Sequence, residues 1–541
     1  MANAFPQALA QAHAAYQRGD VAACEALLAP HRRQPKALHL LALAARRQGD
    51  DAEARRRFEL AYAAARDDVE VANNYARLLS DLGELDRAEA MLQTARRFLP
   101  AALQLARLRF DRGHERAALE DYKRLHRKHP DDPFVRFGLG TARLACAQAR
   151  EAAKDFDWVA SRAPERTAAL FMRGRARLES GDFDRALPDL EAALAREASD
   201  LHLKTVLQAS WLMEETERFR TALEKFGTHT ALAPVAVDAA RQADWLDDAL
   251  DYAQRAPDSA ALRGALASLH LERGEIALAR AAASDALSTE PAQEAATSTL
   301  LGTLLCDGEL QLARAVAQTR RQAAPQSQHW LAYLATLDRL ENRNTAEPVF
   351  AAELPCPPGF DSLAAFNAAL LAELERQPRS HTRPLDQSLR GGSQTFANLA
   401  HSGAPALSAY REALAGPIGG YLQALQEGGG PCAERAGRGY MVHDCWSVRL
   451  DRDGRHNAHV HPNGWISSAY YAEVPQGLDR GDQAGWLHFG VPPFLPDLAA
   501  SESIEPSAGL VVLFPSYLWH GTSPTPDRRI TLPFDLKPAG E

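Results

Sequence analysis

The sequence predicts a multidomain α plus β chain: an all-α solenoid of helical hairpins, then an antiparallel β sandwich or jelly roll with flanking helices. Three observations predict it. A glycine followed by an acidic residue recurs with a period of about 34 over the first 340 residues, and prolines repeat at the same interval. After Gly437 the composition turns to short runs of aromatic and β-branched residues. At 541 residues the chain is too long for one hydrophobic core, so repeats are the first thing to test for.

The turn markers are Gly49 with Asp50, Gly83 with Glu84, Gly181 with Asp182, Gly274 with Glu275 and Gly308 with Glu309; Gly19 with Asp20 and Gly113 are further members. Five positions after most of them comes a small residue, at Ala54, Ala88, Ala118, Ala186, Ala279 and Ala313, where the two helices of one hairpin would touch. Pro130 and Pro164, then Pro257, Pro291 and Pro325, close successive units. A coiled coil or simple bundle would not carry such regular breaks. Between about 200 and 250 the glycine turn disappears, and His202, Trp211 and Trp245 interrupt the pattern. The period and its phases resemble tetratricopeptide repeats over about residues 5–340. That resemblance implies stacked helical hairpins with a concave surface that binds peptides or proteins. The expected domains are a repeat array over 1–340, a linker over 341–361 and a β domain over 362–541.

A formal charge of −9 with no long basic run gives no electrostatic footprint for nucleic acid or an anionic membrane. The N-terminus lacks a basic segment followed by an apolar one, and no window is apolar enough to span a bilayer. A cytoplasmic protein is expected, with neither nucleic acid nor membrane as partner. Its six cysteines are scattered without a Cys-x-x-Cys pair, which fits buried reduced thiols.

The cluster Pro355, Pro357, Pro358 and Gly359 stops helix formation and marks the linker. Helices are expected over Leu363–Leu374 and about Pro405–Leu425, with the polar stretch 381–395 between them and the glycines at 428–430 ending the block. Strands are expected in 440–450, 464–474, 485–490, 509–514 and 529–536, separated by turns such as Pro475-Gln476-Gly477. Five or more strands without intervening helices suggest a sandwich or jelly roll.

Three histidines in this β block point to chemistry. His459 and His461 are two apart on a segment entering a strand, so both side chains would share a face. His520 follows the run 509–514 and the turn Pro515-Ser516. A close pair plus a distant third imidazole is how a jelly roll holds a divalent metal with open positions, suiting iron, zinc, nickel or copper. Arg529 and Thr531 follow on one strand face, a charge-assisted clamp for a carboxylate. His456 could substitute as a ligand. His488 reads as lining the pocket or the sheet, Trp465 and Trp519 as packing, and Arg390 as either a substrate contact or a tie for its loop.

Together these residues resemble the iron(II)/2-oxoglutarate dioxygenases, and more closely a bacterial branch of such oxygenases often fused to tetratricopeptide repeats. The strings at 386–395, 459–475, 513–524 and 528–536 carry the resemblance, which covers about residues 360–538. It implies a double-stranded β-helix in which His459, His461 and His520 hold Fe(II), while Arg529 and Thr531 grip the far carboxylate of the co-substrate 2-oxoglutarate. Tyr471 is a further expected co-substrate contact. O2 is the other implied co-substrate, and hydroxylation of a substrate C–H bond the implied reaction. His461 departs from the pattern, since most such enzymes have Asp or Glu there. Three functions are compatible with this reading: a hydroxylase of a peptide or protein recruited by the array, a small-molecule oxygenase whose repeats serve assembly, and a non-enzymatic scaffold with a cupin-like metal site.

Overall fold

A computed structural model describes residues 4–343, 347–476 and 481–539. Residues 344–346 of the expected linker and Gly477 of the expected turn lie outside them. The chain divides into two compact units, Met1–Arg143 and Leu144–Glu541.

The first unit consists of paired helices, beginning with Ala4–Gln17 and Val21–Leu28, then Pro35–Arg47 and Asp51–Ala64. The glycine turns form because Gly19, Gly49, Gly83 and Gly113 adopt φ of 76–84°, which L side chains rarely tolerate. The acidic residue that follows caps the next helix: Asp20 accepts from the Ala23 amide at 2.9 Å and Asp50 from the Glu53 amide at 3.0 Å. Ala54, Ala88 and Ala118 have no exposed surface. They sit buried where the two helices of a hairpin meet.

The second unit continues the hairpins from Ala149–Arg162 to Gln328–Leu340. Ala186, Ala279 and Ala313 are again fully buried. Where the glycine marker is missing the turn persists, because Glu214 and Asp244 occupy the same left-handed conformation at φ 57° and 63°. Such a residue costs about 1–2 kcal/mol relative to glycine. At the position equivalent to the buried alanines stands Phe219, fully buried, with its ring 5.4 Å from that of Trp211 and 5.2 Å from that of Trp245. The break in the repeat pattern is therefore a local aromatic core.

Eleven strands follow among the described residues: β1 (Phe350–Glu353), β2 (Leu389–Gln394), β3 (Tyr440–Cys445), β4 (Val448–His456), β5 (Ile466–Glu473), β6 (Leu487–Phe489), β7 (Glu502–Ile504), β8 (Leu510–Pro515), β9 (His520–Thr522), β10 (Arg529–Thr531) and β11 (Phe534–Pro538). All pairings are antiparallel. The larger sheet runs β1-β8-β5-β10-β4-β2, with β11 joining β5 to β3, and the smaller runs β7-β6-β9. The expected run 440–450 is two strands that part at Trp446 and Ser447, and 529–536 is two strands that part at Leu532 and Pro533. The helix expected over 405–425 breaks at Leu414 into Pro405–Ala413 and Ala415–Gly428. The stretch expected as linker contributes β1, paired with β8, and the polar glycine stretch contributes β2. Gly392 is required there, since a Cβ would lie 2.1 Å from the Arg449 carbonyl oxygen of β4.

Within this unit the repeats grip the β domain through the segment before β2. Trp211 Nε1 donates to the Arg383 carbonyl at 2.8 Å, and the Arg383 guanidinium donates to the Gln242 carbonyl at 2.7 Å and to Asp244 at 2.6 Å. The His381 amide donates to the Leu212 carbonyl at 2.9 Å, and the Leu385 amide to Gln208 Oε1 at 3.2 Å. Further along, Tyr333 stacks on Phe494 at 5.6 Å and Arg339 donates to the Ala499 carbonyl at 2.7 Å. Leu331 and Ala332 of the last repeat helix belong to the same core as Trp465, Tyr470 and Phe534.

Candidate metal centre

His459 and His520 are brought together by a backbone bridge between their segments, each amide donating to the other's carbonyl at 2.9 and 3.0 Å. The His461 amide donates to the Ser516 carbonyl at 3.0 Å, placing this residue beside the turn that leads to His520. The three rings converge: one potential ligand atom from each lies within 4.8 Å of the others. His456 is not part of this group.

The hydrogen bonds assign the tautomers. Nδ1 of His459 faces the Asn457 carbonyl at 2.9 Å, and Nδ1 of His520 faces the Leu518 carbonyl at 2.9 Å. A carbonyl only accepts, so each Nδ1 carries the hydrogen and each Nε2 presents a lone pair. Nδ1 of His461 likewise donates to the carboxylate of Asp535, at 2.8 and 2.9 Å. Nε2 of His461 lies 3.2 Å from Nε2 of His459. Two neighbouring ligands at about 2.1 Å from one ion, at a right angle, would be about 3.0 Å apart. The spacing and the lone pairs fit a divalent cation.

Electrostatics favour the neutral state at His459 and His520. Burial, with the neighbouring His461, pushes His459 down to about 3, and burial with His459 and His461 holds His520 well below the usual imidazole range. Burial would lower His461 too, but the charge and hydrogen bond of Asp535 together raise it. His459 and His520 are thus neutral near pH 7, and negative charge reaches the centre through Asp535.

Arg529, Thr531 and Tyr471 line the same pocket as the three histidines, with apolar walls from Leu487, Phe514 and Trp446. Arg529 and Thr531 are two apart on β10 and so share a sheet face. Thr531 pairs with Tyr471 on β5, and the Arg529 guanidinium lies over the Tyr471 ring at 5.6 Å. Arg529 is 2% exposed; it donates to the Gly485 carbonyl at 2.6 Å, while its Nε has no acceptor among the described residues. A buried guanidinium with a donor to spare and no carboxylate partner fits the acidic end of a dicarboxylate.

The remaining candidates have plain places. His456 lines the pocket, with Nδ1 2.9 Å from Ser388 Oγ, which in turn lies 3.2 Å from His459 Nε2. His488 is held between Ser503 and Ser523 at 2.8 and 2.7 Å, in the smaller sheet. Trp465 donates to the Cys432 carbonyl in the core, and Trp519 packs against Phe494 and Tyr333. Arg390 donates to the carbonyls of Gln387 and Leu389 and so ties its own loop.

Residues 444–535 match the family described as "Putative 2OG-Fe(II) oxygenase". The chain joins a tetratricopeptide repeat array to a 2OG-Fe(II) oxygenase domain. The matched stretch of the oxygenase domain includes the three histidines, Tyr471, Arg529 and Thr531, and ends on Asp535. Among solved structures, the chain is similar to a tetratricopeptide repeat protein from Parabacteroides merdae, at 15% identity and a TM-score of 0.35, over 50% of this chain and 98% of that one. It is also similar to the C-terminal part of a repeat-containing protein from Cytophaga hutchinsonii, at 16% identity and a TM-score of 0.30, over 54% and 99% of the two chains. For PilF of Pseudomonas aeruginosa the values are 16% and 0.34, over 37% and 94%. No curated protein matches the sequence.

Two residues beside the candidate centre, Asp535 and Ser388, carry no signal in the sequence. Asp535 is one acid between Phe534 and Leu536 in a strand that is otherwise apolar there, and only its 8% exposure, its burial in that strand, sets it apart. Ser388 lies in a polar stretch whose strand character is hidden by its glycines.

Proposed function

We propose that the chain is an iron(II)/2-oxoglutarate-dependent dioxygenase that hydroxylates a peptide or protein held by its repeat array. In this reading residues 1–340 are the array, 341–361 the linker, which lends β1 to the larger sheet, and 362–541 the oxygenase domain, the two sheets being the faces of a jelly roll. The observation that carries it is a single pocket with three converging imidazoles in one part and, in another, the buried guanidinium of Arg529, whose Nε has no acceptor among the described residues.

His459, His461 and His520 would hold iron(II), with Asp535 orienting His461 and supplying charge behind it. Bound iron(II) would supply the redox chemistry that couples O2 and the decarboxylation of 2-oxoglutarate, giving succinate and CO2, to hydroxylation of a substrate C–H bond. Arg529 and Thr531 bind the far carboxylate of 2-oxoglutarate, and Tyr471 packs against the guanidinium and keeps it in place. Leu487, Phe514 and Trp446 exclude water from the reacting atoms. The grip of Trp211, Gln208 and Asp244 on residues 381–385 supports a working link between array and pocket, because Ser388 follows within three residues. Among the described residues no helix is long and apolar enough to cross a membrane, and Cys24, Cys306, Cys356, Cys432 and Cys445 are thiols outside any disulfide, which fits a reducing cytoplasm. The test is turnover: iron-loaded protein converts 2-oxoglutarate to succinate and His520→Ala does not. Absence of succinate from the loaded wild type contradicts the proposal.

A further inference from the structure

A second pocket lies in the seam between repeat helices and oxygenase domain. Arg175, Glu179, Thr205 and Gln208 line it from helices Thr167–Ser180 and Asp200–Leu212, with Ser380 and Gln394 opposite. Gln394 also lines the metal pocket. With Thr395 and Phe396 it further lines a groove onto which His459 and His461 open. Gln394 is thus common to the walls of the seam pocket, the groove and the metal pocket.

Glu179 has no role in the chemistry described so far. Its side chain is 12% exposed, and the neighbouring cation, Arg175 Nη2, stands 3.6 Å away, beyond hydrogen-bond reach. Arg175 itself is half in solvent, with 46% of its side chain exposed. Burial raises the Glu179 carboxyl to about 7, so the ionised form is poorly served by its surroundings. A desolvated carboxylate without a donor weakens the fold, and an apolar residue would serve the helix better. The adjoining groove is lined by Asp386, Asp444 and Asp535, and no lysine or arginine is among its lining residues. Thr205, Gln208, Ser380 and Gln394 offer donors and acceptors suited to peptide amides.

We infer that Glu179 receives a lysine or arginine side chain of the peptide substrate, so that the seam pocket selects a basic residue near the one oxidised. The inference rests on the peptide reading given above. In it, the repeats form one wall of the substrate path and set specificity there, with Gln394 at the point where seam and metal pocket meet.

The test screens a random decapeptide library against full-length wild-type protein, Glu179→Gln and Thr205→Lys. Glu179→Gln removes the charge, and Thr205→Lys supplies a cation from the chain itself. Melting temperatures serve as the check that both variants fold. The expected result is enrichment of lysine or arginine at one position in the wild type, reduced about tenfold or more in both variants. Peptides enriched without a basic preference, or with one that neither variant alters, overturn the pocket assignment and leave the peptide reading standing. If the wild type enriches no peptide at all, the peptide reading fails and the assignment with it.

Discussion

The carboxylate of Asp535 lies 2.8 and 2.9 Å from Nδ1 of His461, so an acid stands one imidazole behind the candidate metal centre. The negative charge is displaced from the centre without being lost. His461 is thereby fixed in the tautomer that offers Nε2.

Replacing Asp535 with Asn keeps the shape and removes the charge. Affinity for iron(II) should fall about 10–100-fold, the usual effect of losing such a partner. Competition with a coloured chelator measures it, and unchanged affinity would show that Asp535 serves only the strand.

Arg529→Met should weaken 2-oxoglutarate binding by on the order of 2–5 kcal/mol, because a buried charge pair loses one member. Thr531→Val removes one hydrogen bond from an uncharged donor to that carboxylate, about 1.5–3 kcal/mol, without removing a charge. Titration of the two metal-loaded variants with 2-oxoglutarate should rank them in that order, with metal affinity unchanged in both.

Arg383→Ala removes the bonds to the Gln242 carbonyl and to Asp244 that pin the segment before β2. Local opening there should become easier by about 1–3 kcal/mol. Hydrogen exchange over residues 381–389 should quicken while the strand β8 keeps its protection.

Glu179 gives a pH signature. Its folded-state pKa of about 7 is above the ordinary carboxyl value of 4.5, so its contribution to stability is fully present below that value and is lost as pH rises through 7. Glu179→Gln should therefore raise the melting temperature more at pH 8 than at pH 5, by the equivalent of at most about 3 kcal/mol. An equal shift at both pH values would mean that the carboxyl ionises freely in the folded protein.

The features legible in the sequence were those with a strong local cause. The alanines five residues after most of the turns are buried because the two helices of a hairpin meet there, and the helix Leu363–Leu374 has the bounds its apolar run implied. His459, His461, His520 and Arg529 were legible as a set because their residue types are rarely grouped without a ligand. Strand β2 was hidden, since an edge strand containing Gly391 and Gly392 has no apolar alternation. Trp211 and Trp245 showed only as defects in a repeat; their packing with Phe219, and the bond from Trp211 to the Arg383 carbonyl, depend on a segment far away in sequence. Asp535 was missed for the same reason, since its partner lies 74 residues away.

The most direct test of the metal and co-substrate assignment is anaerobic reconstitution with iron(II) followed by 2-oxoglutarate, read by visible absorption. The expected result is a charge-transfer band that appears only with both components, is absent in His520→Ala, and needs far more 2-oxoglutarate in Arg529→Met. No band in the iron-loaded wild type, or a band indifferent to His520, would contradict it.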